Sequence, residues 1–314
     1  AYSVYYTIDV CLSYTRMGIR KNVFYSTILT VSGYLFPLLT FPYVSRVLGV
    51  ENIGICNFYD GVISYFILFS MLGIVNLGIR EIAKAKNDKS SLQRTFSGLL
   101  SLNLITTIIS VIILIVVGNT VAKLAEHPSL IYIGVAKILA NCLLIEWLYK
   151  GLEDFRYITI RSIIVRSIYV LSVFCFVRRA EDYILYFGLT TSMFAVNAII
   201  NVFNARKYIS VLHINFEFNR YLKPYIILGL YQILTSMYTT FNVVYLGFIT
   251  DDIQVGYYGT AVKLYTIILS FYTAFTGVML PRMSSLLSQN KFDEFKRYIK
   301  KSSTVLYSLS IPII

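Results

Sequence analysis

Long apolar runs alternate with short charged stretches along most of the chain. A transmembrane helix needs roughly 20 apolar residues, and each of these runs is long enough. Because open sheet edges cannot be satisfied in lipid, the pattern predicts helices and an all-α integral membrane protein. We predict eight complete spans and a truncated ninth that begins near Ser302, and the eight lie near 23–45, 55–77, 95–118, 128–149, 158–177, 183–204, 222–249 and 256–280.

The connections between these spans carry unequal positive charge. With eight spans, most Lys and Arg residues fall on the side that holds the N-terminus. The opposite side carries only Arg46, Lys123, Arg178 and Arg179. Since cytoplasmic loops are enriched in Lys and Arg, the imbalance predicts a cytoplasmic N-terminus.

The connection over 205–223 is the longest well-defined one and mixes apolar with charged residues. We expect it to be a cytoplasmic interfacial linker between a first lobe over 17–204 and an incomplete second lobe over 224–314. Residues 1–16 precede Met17 and lack the pattern of a signal peptide, so we expect a leader or non-native segment there. The chain stops inside an apolar segment, which suggests truncation.

A short internal repeat supports the two lobes. Leu48-Gly49 followed by Gly54 recurs as Leu246-Gly247 followed by Gly256, each time between two spans on the outer side. Six spans separate the two hairpins, and this even number predicts a parallel repeat.

Composition supports a membrane protein and excludes other classes. The chain is 57% hydrophobic and 14% charged, whereas a soluble domain has about 25% charged residues. The net charge of +12 does not indicate nucleic-acid binding, because the basic residues are spread over loops. Four cysteines without a CxxC pair and only two histidines predict no disulfide, metal or cofactor.

Arg161 and Lys223 lie near the ends of their predicted spans and count with the cytoplasmic connections, and five further charged residues lie inside predicted spans. Each costs about 2.5–3.5 kcal/mol at the centre of a helix in lipid, so all should face the protein interior or a wet cavity. We predict that the cations bind an anionic substrate and that the carboxylates couple transport to H⁺ or Na⁺. The alternatives are snorkelling and ion pairing with one another. The five are Asp60, Lys137, Glu146, Arg166 and Lys263.

Polar residues accompany these charges at helical spacing. Lys263, Thr266, Ser270 and Thr273 would share one face of span 8. Asn57 and Asp60 with Ser64 would do the same in span 2. The stripes fit a wet cavity, and they fit hydrogen bonding between helices equally well.

Five motifs, in order, resemble those of a known family. They are FPYVSRVLG at 41–49, GIREIAK at 78–84, YLG at 245–247, VGYYGTAVKL at 255–264 and LPRMS at 280–284. Together they are similar to the O-antigen (Wzx-type) flippases of the multidrug/oligosaccharidyl-lipid/polysaccharide exporter superfamily. The resemblance covers the chain from about Met17 to its end.

The resemblance implies two six-helix lobes around a central cavity in the bacterial inner membrane. It implies transport of an undecaprenyl-diphosphate-linked oligosaccharide, without catalysis and without a cofactor. Possible partners are a polysaccharide polymerase and a chain-length regulator. Besides the cations above, Arg46, Arg80 and Asn242 are candidate substrate residues, although Arg46 and Arg80 fit headgroup anchoring as well. Asn242 stands where the family suggests an acidic residue.

Two other functions remain open. A drug or lipid II exporter of the same superfamily would share the fold, but mainly basic embedded charges suit an anionic cargo better than a cationic drug. A membrane glycosyl polymerase or ligase is disfavoured because the outer connections are short. Their acidic pair, Asp251-Asp252, fits a simple turn.

Overall fold

The computed structural model describes residues 2–210, 219–288 and 291–310. The described side chains begin at Lys21 and omit Val23 and some positions beyond 236. Apart from turns and short connections, these described residues are helical and form no strand, which confirms the all-α membrane fold.

Eleven α-helices and one short 3-10 helix are formed by the described ranges. They are α1 (Tyr2–Met71), α2 (Ile74–Ala85), α3 (Lys89–Thr120), α4 (Ala122–Ala125), α5 (Pro128–Leu143), α6 (Glu146–Gly151), α7 (Phe155–Phe176), the 3-10 helix (Ala180–Asp182), α8 (Tyr183–Ala205), α9 (Asn219–Ile249), α10 (Asp252–Ser288) and α11 (Phe292–Ser310).

Five helical segments within the described residues are long and apolar enough to cross a membrane. The first, Phe24–Ala85, has 62 residues, about three times the roughly 20 that one crossing needs. It is divided at Gly49, whose backbone is non-helical with φ +78°. Only glycine adopts this conformation at no steric cost, so Gly49 separates the arms predicted as spans 1 and 2. The total of eight spans stays a prediction.

The predicted span over 128–149 is interrupted. Helix α5 ends at Leu143 and α6 begins at Glu146, with Ile145 between them in the left-handed conformation at φ 37°. The side-chain amide of Asn201 on α8 donates a hydrogen bond to the carbonyl of Leu144. The Leu144 carbonyl, which lies at the break, therefore has a hydrogen-bond donor from a neighbouring helix. A buried backbone carbonyl needs such a partner.

The predicted linker is only partly described. Helix α8 ends at Ala205, and α9 already begins at Asn219, inside the range assigned to the linker. Residues 211–218 lie outside the described residues, as do 311–314 at the end of the predicted ninth span. That segment is helical from Phe292, ten residues before the predicted start.

The buried core of the bundle and its lipid-facing surface consist of different side chains. One buried cluster surrounds Trp147 and Tyr149, and a second surrounds Phe58 and Tyr59. Large aliphatic side chains are exposed along the outer faces of the helices, for example Ile108, Ile112, Ile164 and Ile168. An apolar outer surface of this kind is suited to lipid.

The two repeat-related hairpins pack directly against each other. A Cβ atom on Gly54 would lie 1.7 Å from the carbonyl oxygen of Asp252, and one on Gly256 would lie 2.3 Å from that of Val50. The same sequence offset relates Gly54 to Gly256 and Val50 to Asp252, so the two contacts are reciprocal. A reciprocal contact is the property of a local two-fold axis.

Candidate functional site

A cavity of about 520 Å³ lies inside the bundle. Both arms of α1, together with α5, α7, α8 and α10, provide its walls. It brings together four of the five charged residues predicted within spans, which are Asp60, Lys137, Arg166 and Lys263.

Lys137 on α5 is deeply buried, with 7% of its surface exposed. Its Nζ forms an ion pair with Asp60 on α1. The same atom lies 5.8 Å and 5.4 Å from the ring centroids of Phe187 and Phe194 on α8, within range of a cation–π attraction. Lys137 is therefore neutralised by a carboxylate and enclosed by aromatic rings.

Lys263 on α10 has neutral partners. Its Nζ donates a hydrogen bond to Oδ1 of Asn57 at 2.8 Å and lies 4.7 Å from the ring centroid of Phe41. Gly259, one turn earlier, gives Asn57 room, since a Cβ there would lie 2.4 Å from the Asn57 Nδ2. No described acidic group forms an ion pair with Lys263.

Arg166 on α7 is also held by neutral oxygens. Its Nη1 donates to the Ser32 hydroxyl and, at 3.2 Å, to the carbonyl of Leu29. Both acceptors lie on the first arm of α1. Among the described residues Arg166 has no ion-pair partner.

The described cavity lining therefore carries more positive than negative charge. Asp60 faces three cations, and its own ion pair neutralises only Lys137. Its side chain is 48% exposed, so it is open to exchange with a ligand. In surroundings poorer in water than the bulk, such an excess favours a bound anion.

Aromatic rings make up much of the remaining lining. The sequence did not indicate which tyrosines would reach a cavity, and the structure places Tyr34, Tyr169 and Tyr186 there. One signal was present in the sequence: Tyr169 follows Arg166 by three residues and so shares its helical face.

The other predicted site residues lie elsewhere. Glu146 forms ion pairs with Arg161 at 2.7 Å and with Lys150 at 3.2 Å. Arg80 pairs with Glu81 at 2.8 Å, and the Nδ2 of Asn242 donates to the Tyr258 hydroxyl at 3.0 Å. Arg46 is exposed near the first of the two packed hairpins.

These four residues, Arg46, Arg80, Glu146 and Asn242, do not line the described cavity. Their roles stay predictions. Thr266 of the predicted polar stripe does line it, while the side chains of Ser270 and Thr273 lie outside the described residues.

A further ion pair lies near the two packed hairpins. Lys123 on α4 contacts Asp252 at the start of α10, with Nζ and Oδ1 3.1 Å apart. Partial burial lowers the pKa of Lys123, but the hydrogen bond and charge of Asp252 outweigh it and raise the pKa above its ordinary value. The pair links α4 to α10 beside the reciprocal glycine contacts.

The fold and the cavity define a multi-pass helical membrane protein with a cationic, aromatic-lined interior. A family described as "Polysaccharide biosynthesis protein" matches residues 19–287, and the chain belongs to that family. The resemblance to polysaccharide-exporting flippases noted in the sequence is thereby confirmed.

Two curated relatives carry the name "Putative O-antigen transporter". The one from Escherichia coli (strain K12) is 28% identical over 297 residues, which cover 93% of this chain and 71% of the relative. The one from Shigella dysenteriae is 25% identical over 286 residues, covering 89% and 71%. No solved structure matches the chain.

Proposed function

We propose that the chain is a flippase for lipid-linked oligosaccharides, which moves an undecaprenyl-diphosphate-linked repeat unit from the cytoplasmic to the periplasmic leaflet. The observation that carries the proposal is the pair of cations, Lys263 and Arg166, which line a membrane-embedded cavity without carboxylate partners among the described residues. The names of the relatives support the same cargo.

The two free cations suit the diphosphate of such a cargo. An ammonium or guanidinium group binds phosphate oxygens through charge-assisted hydrogen bonds. Arg166 offers a planar fork of donors, and Lys263 offers a compact point charge. Their N–H groups contact the neutral acceptors Ser32, Leu29 and Asn57, which an anion can replace.

The tyrosines suit the sugar part of the cargo. Tyr34, Tyr169 and Tyr186 present rings for apolar contact and hydroxyls for hydrogen bonds. The polyprenyl chain is as apolar as the bilayer and does not need to enter the cavity.

Asp60 and Lys137 form the coupling element of this proposal. A cargo anion that approaches Lys137 competes with Asp60 for the same ammonium group. The released carboxylate then binds H⁺ or Na⁺, because a lone charge in the membrane is costly. Cargo entry and cation binding are linked in this way. Glu146, which shares Arg161 and Lys150, is the second candidate for coupling.

The proposal places the protein in the bacterial inner membrane with a cytoplasmic N-terminus. It acts as a transporter and not as an enzyme, and hands its cargo to a polysaccharide polymerase and a chain-length regulator. A cationic drug fits the cavity poorly, because the cavity lining carries an excess of positive charge. Lipid II shares the diphosphate and differs in the sugar.

The test is flipping in proteoliposomes that contain this chain. Three cargoes are compared: an undecaprenyl-diphosphate oligosaccharide, lipid II, and a neutral glycolipid with the same sugar but no phosphate. We expect flipping of the first and loss of that flipping in Arg166→Gln, with Arg94→Gln as the matched control. Equal flipping of the neutral glycolipid would contradict the role of the cations. Faster flipping of lipid II than of the oligosaccharide would identify lipid II as the preferred cargo.

A further inference from the structure

A second concave surface lies outside the cavity, on the face of α7 and α8. It is a groove of about 430 Å³ and shares no lining residue with the charged cavity. Its walls are largely aliphatic, from Ile160, Ile164 and Val165 of α7 and Ile200 of α8. The isoleucines are exposed on the surface that faces lipid.

One end of the groove is polar and positively charged. Asp154, Arg156 and Tyr157 lie there, and Arg161 follows next to Ile160 further along α7. Arg156 is exposed and forms no ion pair with any described residue. Tyr157 fixes the spacing of the two helices, because its hydroxyl contacts the Ile200 carbonyl and the Asn201 Oδ1, both at 3.2 Å.

Arg161 is nine-tenths buried yet incompletely bonded. Its Nη2 donates to Glu146 at 2.7 Å and to the Ser162 hydroxyl at 2.8 Å. Its Nε and Nη1 have no hydrogen-bond acceptor in the described part of the chain. Both nitrogens are buried below the groove surface, so Arg161 adds positive charge behind the wall rather than a direct contact with a ligand.

The charges at this end also remain unbalanced. Glu146 is one carboxylate shared by two cations, Arg161 and Lys150, and Arg156 adds a third positive charge. Asp154, whose carboxylate accepts bonds from the neutral Tyr208 hydroxyl at 3.0 Å and the Tyr157 N–H at 3.3 Å, adds a second negative charge, which leaves one net positive charge. The end of the groove therefore attracts an anion.

The geometry points to a binding site for an anionic membrane phospholipid, with its phosphate at Arg156 and one acyl chain along Ile160, Ile164 and Ile200. Basic pockets between transmembrane helices on the cytoplasmic side bind such headgroups. This end of α7 lies on the side where the charge pattern places the cytoplasm. The site is independent of the proposed transport cargo.

The experiment counts lipid adducts of the detergent-purified chain by native mass spectrometry. It is titrated separately with phosphatidylglycerol, phosphatidylcholine and undecaprenyl phosphate. We expect preference for phosphatidylglycerol and a loss of about fivefold in its affinity in Arg156→Gln, since one cation near the membrane surface contributes about 1 kcal/mol. Arg94→Gln, an exposed arginine of α3 outside the groove, should bind as wild type does.

A second variant, Ile164→Trp, adds bulk to the groove wall without changing charge. It should weaken phosphatidylglycerol binding while Arg156 remains. The inference is overturned if Arg156→Gln binds phosphatidylglycerol as wild type does, or if phosphatidylcholine binds equally well. Arg156-dependent binding of undecaprenyl phosphate alone would also overturn it and assign the groove to the polyprenyl carrier.

Discussion

Lys137 on α5 and Asp60 on α1 form an ion pair inside the bundle, in which the lysine is almost fully buried and the carboxylate is half exposed to the cavity. The asymmetry separates their roles. The buried cation depends on its partner, whereas the carboxylate can be solvated from the cavity.

Replacement of Asp60 by Asn should therefore destabilise the protein. A fully buried ion pair that loses one partner costs roughly 3–5 kcal/mol. Because Asp60 is half exposed, we expect a smaller loss of about 2 kcal/mol. Thermal unfolding in detergent measures it.

The double variant Asp60→Asn/Lys137→Met should recover stability, because no uncompensated charge remains. If the double variant is less stable than Asp60→Asn alone, the pair does not account for the effect.

Lys263→Gln should abolish flipping of the diphosphate-linked oligosaccharide while abundance in the membrane stays unchanged. Glutamine keeps much of the length of the side chain but removes the charge, whereas Lys263→Arg keeps the charge and should retain part of the activity. Lys291→Gln, an exposed lysine ahead of α11, is the control. Wild-type flipping by the Gln variant would show that the charge is not needed.

Gly54→Ala should separate the two hairpins. A Cβ there would lie 1.7 Å from the Asp252 carbonyl oxygen, a contact that requires backbone movement. We expect a loss of roughly 2–3 kcal/mol in stability, in the range of severe overpacking. Gly188→Ala is the matched control, because nothing lies within 4 Å of its added Cβ. Similar melting temperatures for both variants would contradict the close packing.

Labelling of single cysteines in cells tests the topology. In a background without native cysteines, Lys123→Cys and Arg179→Cys should react with a membrane-impermeant maleimide added outside the inner membrane. Lys89→Cys and Lys207→Cys should react only after lysis, since the positive-inside pattern places them in the cytoplasm. A reversed result at any two of the four positions would show that the predicted spans are wrong.

The convergence of Asp60, Lys137, Arg166 and Lys263 on one cavity follows from sequence, because each charge interrupts an apolar run that lipid would not tolerate. The break between Leu143 and Glu146 did not follow, since no Gly or Pro marks it and its freed carbonyl is satisfied by Asn201 from another helix.

The sequence also does not show how deeply each polar side chain is buried. The charge pattern places Arg161 on the cytoplasmic side, yet it is 5% exposed and paired with Glu146. A count of charges gives the side of the membrane but not whether a particular guanidinium faces water. The tyrosines of the cavity were hidden for the same reason, because tyrosine occurs throughout the apolar runs.

The reciprocal packing of Gly54 and Gly256 has an electrical consequence. The offset that relates these two residues also relates Asn57 to Gly259, which are in contact, and Gly61 to Lys263. Lys263 in the second repeat therefore corresponds to Gly61, which has no side chain, in the first. Two nearly equivalent backbones therefore enclose an asymmetric electric field, because Lys263 has no charged counterpart at the matching position of the first repeat.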